Sequence, residues 1–270
     1  MKIRTDYTSL LALLLTGFLL TGGPPASGQE EEGYVYPTLP ERGGDPTVFV
    51  PPRWHLLDST YGDLNGDTYP DLVVVVERDS AISEQRRTLD GVFAVEGRPR
   101  ILAICLADPE GGGYRKAIQT DQFVLREREG GVMDDPWNGM EVKSGMLHVR
   151  FQGGSGMQWA LEYKFAWRQK SWQLVGVTST EINARNGDSV TDEYDLVTWS
   201  VITWKANINP DGCRPCEDCA DCAPHTDCPD CAEKVGREPK MSTRKLKREK
   251  PRLLSDFEPN LWEIEPDKRI

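Results

Sequence analysis

Positive charge and histidine are both scarce in this chain. Across 270 residues, 32 Lys and Arg face 43 Asp and Glu, giving a formal net charge of -11 at pH 7, and there are three His. That balance speaks against a nucleic-acid partner, because such binding rests on neutralising phosphates with clustered cations. The common catalytic signatures GxSxG, HExxH and the P-loop are missing. So is any apolar run after residue 20 long enough to span a bilayer. Helical periodicity is nearly absent, with residues 80–89 alone having a helical composition. With hydrophobic residues at 38%, enough apolar material remains for one core.

The first 28 residues have the form of an export signal. Lys2 and Arg4 precede the apolar run SLLALLLTGFLL, which Gly22, Gly23, Pro24 and Pro25 interrupt. Ala26-Ser27-Gly28 then supplies small residues, placing cleavage before Gln29. The run is too short for a transmembrane helix, which needs about 20 residues. The expected location is periplasmic or extracellular, where disulfides persist. Residues 29–52, rich in Pro, Gly and Glu without a period, read as a linker. Residues 53–206 read as a β domain, 207–239 as a Cys-rich insertion, 240–258 as a basic edge strand completing the domain, and 259–270 as a tail.

Within 53–206 the apolar pattern alternates. Trp159, Leu161, Tyr163, Phe165 and Trp167 share one face, and Glu162, Lys164 and Arg168 the other, as a strand with one wet side requires. Leu147, Val149 and Phe151 point inward on another strand, which leaves His148 facing solvent. A strand at 140–143 precedes it through the turn Ser144-Gly145. Residues 72–76 and 101–106 are continuous apolar runs, the mark of central strands covered on both faces. The fold class is mainly β: an antiparallel, sandwich-like single domain with at most one short helix. The basic run STRKLKREK at 242–250 suits an edge strand whose charges discourage aggregation, pairing near 196–205; a basic segment for an acidic partner is the alternative.

In YGDLNGDTYPDLVVVV, Asp63, Asn65, Asp67 and Asp71 fall at loop positions 1, 3, 5 and 9, and the Tyr69 carbonyl at position 7. A hard cation such as Ca²⁺ takes six to eight oxygens, and alternate residues of a tight loop can turn theirs inward. The competing reading is an Asx-rich turn without an ion. GDLNGDTYPDLVVV resembles the calcium loop of FG-GAP repeats, found in integrin alpha chains and in exported bacterial proteins. The resemblance covers about fifteen residues and implies a hairpin calcium loop with Asp63, Asn65, Asp67 and Asp71 as side-chain ligands. Thr68 stands where the family has Gly, and there is one copy where the family repeats several. An EF-hand fits less well, since position 12 is Val74. More loosely, RWHLLDSTYGDLNGD and the β pattern after it resemble exported bacterial proteins without an assigned activity.

Cys213, Cys216, Cys219, Cys222, Cys228 and Cys231 form three CxxC pairs. Disulfides, a thiolate site for Zn²⁺, and thiol–disulfide exchange all fit this spacing. Disulfides lead, because the segment is too polar to order itself and the compartment oxidises. Cys105, within an apolar run, reads as a buried free thiol. His55 precedes the 63–71 loop, and His225 lies among the cysteines. Asp134-Asp135-Pro136-Trp137 sets two carboxylates beside an aromatic; with Glu141 these are the residues of a glycan-directed hydrolase reading. The reading that fits most of the chain is an exported, calcium-stabilised β-rich binding or structural protein whose partner is an unidentified protein or glycan.

Overall fold

The computed structural model describes residues 34–89, 91–207, 240–265 and 268–269. The segment expected to be an export signal and the six clustered cysteines lie outside these, as does His225. Among the described residues no helix is long and apolar enough to cross a membrane, and the helical segments are single 3₁₀ turns.

Two antiparallel sheets carry the fold. The first has the order β1 (Arg42–Gly43), β7 (Tyr114–Thr120), β6 (Arg100–Ala107), β3 (Asp71–Arg78), β2 (Trp54–Gly62). The second is a seven-stranded sheet in sequence order: β8 (Trp137–Lys143), β9 (Met146–Gly154), β10 (Met157–Arg168), β11 (Ser171–Asn183), β12 (Asp188–Asp195), β13 (Ser200–Asn207), β14 (Lys240–Lys245). Two short hairpins complete it, β4 (Ile82–Thr88) with β5 (Gly91–Gly97), and β15 (Glu263–Glu265) with β16 (Lys268–Arg269). The basic strand β14 is the edge of its sheet and pairs with β13, Ser200 opposite Lys245 and Lys205 opposite Lys240.

The continuous apolar runs of β3 and β6 are buried on both faces, as their composition requires. Val73, Val75, Leu102 and Ile104 share one cluster with Leu147, Val149, Phe151, Tyr163 and Phe165 of the seven-stranded sheet. Leu72, Val74, Val76, Ile101, Ala103 and Cys105 form a second cluster with Leu39, Phe49 and Trp54. Phe123 is the hub of the first, edge-on to Phe151, Tyr163 and Phe165 at centroid distances of 5.8, 5.5 and 5.1 Å. Such pairs add to the free energy of area burial.

Six expectations need correction. Residues 34–52 are not a linker: Leu39 and Phe49 are core residues and β1 pairs with β7. Gly43 serves close packing, since a Cβ there would lie 2.7 Å from the Phe49 ring. Residues 80–89 are not helical but form the strand β4; Glu84 and Arg86 turn inward on alternate positions because buried charges await them, including Glu129 at 3.5 Å from Arg86. Residues 259–265 are not a free tail, because Trp262 is buried in the first cluster. Trp167 is 39% exposed, since it sits at the end of a hairpin and packs on Trp172 at 4.9 Å. His148 is not solvent-facing: it lies on the polar face as alternation demands, yet it is only 8% exposed. Glu162 and Lys164 beside it are half-buried rather than exposed, for the same reason: this face carries a packed ion network.

Candidate metal centre

The network forms where β8, β9 and β10 lie side by side. Strand pairing sets Glu141 opposite His148, His148 opposite Lys164, and Arg150 opposite Glu162. All these side chains point to the face away from Leu147 and Val149, because alternate residues of a strand point to opposite sides. His148 Nδ1 lies 3.2 Å from Glu162 Oε1. Arg150 donates to Glu141 and, from Nε at 3.2 Å, to Glu162; Lys164 Nζ reaches Glu162 Oε2 at 3.1 Å and Thr178 Oγ1 at 3.1 Å.

Among the described residues this is the one group of three His, Cys, Asp or Glu side chains whose ligand atoms all lie within 4.8 Å of one another: Glu141, His148 and Glu162. Burial alone would raise the Glu162 carboxyl, but the Lys164 ammonium, His148 and Arg150 outweigh it and hold it below the ordinary range. His148 Nε2 is buried with no hydrogen-bond partner. An unpaired ring nitrogen has a free-energy cost, and in a polar setting it marks a place where a water or an ion belongs. One imidazole and two carboxylates can coordinate a divalent ion.

The 63–71 loop is built differently. Asp63 accepts from the N–H groups of Gly66 at 2.7 Å and Thr68 at 2.9 Å; Asn65 accepts from Asp67 N–H and Asp67 from Tyr69 N–H, each at 2.9 Å. Asp71, at the start of β3, is fully buried and accepts from Leu64 N–H and Ala107 N–H, each at 2.9 Å. Burial raises the Asp71 carboxyl above its ordinary range, and Asp67 and Asp63 add to the rise against those two N–H bonds. Thr68 adopts a left-handed φ of 74°. That conformation is costly for a β-branched residue.

The sequence-predicted carboxylates of the hydrolase reading do not converge. Arg100, fully buried, holds Asp135 with two parallel bonds, Nη1–Oδ1 at 2.9 Å and Nη2–Oδ2 at 2.6 Å, and also donates to Glu77 from Nε at 2.7 Å. Burial opposes ionisation of Asp135, but the Arg100 guanidinium and the Trp137 N–H overcome it and hold its carboxyl below the ordinary range. Asp134 occupies a left-handed turn with φ 65°, and Glu141 belongs to the His148 cluster. His55 closes the same Arg100–Glu77 network, 3.0 Å from Asp79 and 3.4 Å from Glu77.

Comparison with known proteins yields no match. No family model, no curated protein and no solved structure corresponds to this chain. The likeness of the 63–71 loop to FG-GAP repeats therefore stays a likeness of that segment. Alternation alone sets Glu162 on a wet strand face and His148 on the face away from Leu147 and Val149, and does not by itself bring the cluster together. The signal was available: a two-residue turn at Ser144-Gly145 sets Lys143 opposite Met146, and two steps back Glu141 falls opposite His148.

Proposed function

We propose that this chain is a metal-stabilised, β-rich binding or structural protein that acts outside the cytoplasm, in the periplasm or beyond the cell. The observation that carries the reading is the convergence of Glu141, His148 and Glu162, whose ligand atoms all lie within 4.8 Å of one another, with His148 Nδ1 turned to Glu162. An imidazole with two carboxylates suits zinc or a similar first-row ion better than calcium, which prefers oxygen alone. Arg150 competes for both carboxylates; as its side chain is 36% exposed, it can swing to solvent when an ion enters. The 63–71 loop is the proposed calcium site, through Asp63, Asn65, Asp67, Asp71 and the Tyr69 carbonyl, with Asp71 held rigidly at the start of β3. The cluster shared by the two sheets supports a sandwich-like packing. The six clustered cysteines are proposed as disulfides, with a zinc site as the alternative.

A structural or binding role fits better than glycan hydrolysis because both Asp135 oxygens are held by Arg100 and neither is available to exchange a proton with substrate. The test is calorimetric titration of the mature chain, separately with Zn²⁺ and Ca²⁺, alongside His148→Ala and Asp67→Ala. The expected pattern is crossed: His148→Ala abolishes the zinc response at this site and spares calcium, and Asp67→Ala does the reverse. Zinc binding that survives His148→Ala unchanged, together with a calcium response that survives Asp67→Ala, removes both sites.

A further inference from the structure

The basic run at 242–250 divides into two parts in the structure. Lys240–Lys245 is the edge strand β14. After it the chain leaves the sheet, and the departing segment is pinned at both ends. Leu246 N–H donates to the Trp199 carbonyl at 2.9 Å, and Leu174 N–H donates to the Arg252 carbonyl at 2.9 Å. Between these anchors Arg248 and Lys250 are exposed and have no ion pair among the described residues.

This strap walls an open cavity of about 420 Å³. Arg168, at the end of β10, also lines it, and Arg252 lies over the Trp262 ring at 5.9 Å. Arg168, Arg248, Lys250 and Arg252 supply four cations, against which the lining offers one acid, Glu249, itself 3.3 Å from Arg252. On a chain of net charge -11 this is a local reversal of sign. Asp195, behind Arg168, is held below the ordinary carboxylate range: burial opposes ionisation, and the Thr198 and Val197 N–H groups and the Arg168 charge prevail. The rest of the lining is mixed and includes Gln169, Gln173 and Trp199; Gln173 Nε2 already donates to the Arg168 carbonyl and to Ser171 Oγ, each at 3.1 Å, which leaves its side-chain oxygen to accept from a ligand. Gln169 and Lys170 form the two-residue turn from β10 to β11 with φ of 51° and 63°, so the rim is a tight hairpin held by register.

A bare anion would leave most of this volume unfilled. Guanidinium forks match oxyanions, amides match hydroxyls, and an indole matches the apolar face of a sugar ring. We propose that the cavity binds an anionic saccharide, its sulfate, phosphate or carboxylate group held by Arg168 and Arg248 and its ring set toward Trp199 and the two glutamines. The proposal gives a ligand class to the binding role above, but it requires neither metal site.

Calorimetry on the mature chain tests it, with glucose 6-sulfate, glucose 6-phosphate, glucuronate, unsubstituted glucose and sodium sulfate as probes. At least one charged sugar should bind at least tenfold more tightly than glucose and than sodium sulfate, and the three charged sugars separate the possible oxyanions. Arg248→Gln and Arg168→Gln should each weaken binding about tenfold, as expected for loss of one charge-assisted contact at a solvated site. Lys240→Gln, on the edge strand away from the cavity, should leave it unchanged. Arg248 is exposed, so its replacement leaves the core intact, and an unaltered melting curve checks this. Glucose binding as tightly as the charged sugars, sodium sulfate accounting for all the heat, no binding by any sugar, or an unchanged affinity in Arg248→Gln would each overturn the proposal. His148→Ala separates the two readings: saccharide binding should persist in that variant whether or not zinc does.

Discussion

The 63–71 loop and the Glu141–His148–Glu162 cluster are both gatherings of carboxylates, yet they are held in opposite ways. The loop is local. Most of its carboxylate oxygens are directed by N–H groups within a few residues, and Asp71 fastens it to β6 through Ala107. The cluster is assembled across three strands by register, and its carboxylates are directed by cations, Arg150 and Lys164, instead of by backbone. A site written within one loop keeps its geometry through its own turns. A site written across a sheet depends on every hydrogen bond that fixes the pairing, and its cations compete with any incoming ion.

That contrast can be broken most forcefully at Asp71. Asp71→Ala strands the N–H groups of Leu64 and Ala107 and should destabilise the fold by about 2–4 kcal/mol even without calcium. His148→Ala, whose ring carries an unpaired nitrogen already, should cost about 1 kcal/mol without metal. Urea unfolding of the two variants compares them directly, and equal losses would erase the distinction. A second measurement concerns competition. Arg150→Ala removes the guanidinium that bridges Glu141 and Glu162 and should tighten zinc binding about tenfold; a weaker affinity would mean that Arg150 orders the site instead of blocking it.

Thr68→Gly should stabilise the protein by about 1 kcal/mol, because glycine adopts the left-handed conformation without the side-chain penalty. A drop in melting temperature would show that the Thr68 side chain contributes more than its backbone strain costs. The smallest effect is on the acid limb. Glu162 has a folded pKa below its unfolded value, so its ion pairs contribute stability above an unfolded pKa of about 4.3, and that contribution is lost as pH falls through the lower folded value. Glu162→Gln should flatten this limb by roughly 0.5–1 kcal/mol, measured as melting temperature against pH; an unchanged slope would assign acid sensitivity to other pairs.

How much of this was legible follows from the same contrast. The loop could be read because spacing alone places Asp63, Asn65, Asp67 and Asp71. The central strands could be read because Leu72–Val76 and Ile101–Leu106 have no polar interruption, and the structure buries both faces of each run apart from the half-buried Leu106. Residues 80–89 misled because Glu, Gln and Arg favour helices intrinsically, whereas here their alternation serves buried ion pairs with partners more than 40 residues away. Residues 34–52 misled because Pro and Gly count as loop signals, and nothing local announces that Leu39 and Phe49 will find Trp54 and the outer face of β3 and β6. The cation-walled cavity lay beyond reach for a third reason. It joins the β10–β11 turn to residues 248–252, and no period or spacing connects them.

Cys105 gives one of these strands a role in time. Its sulfur is fully buried on β6, between β3 and β7, and burial pushes its thiol up to about 12. A thiol so placed reacts only when the five-stranded sheet opens. The rate at which Cys105 is alkylated in the native protein is therefore a clock for how often the central sheet comes apart.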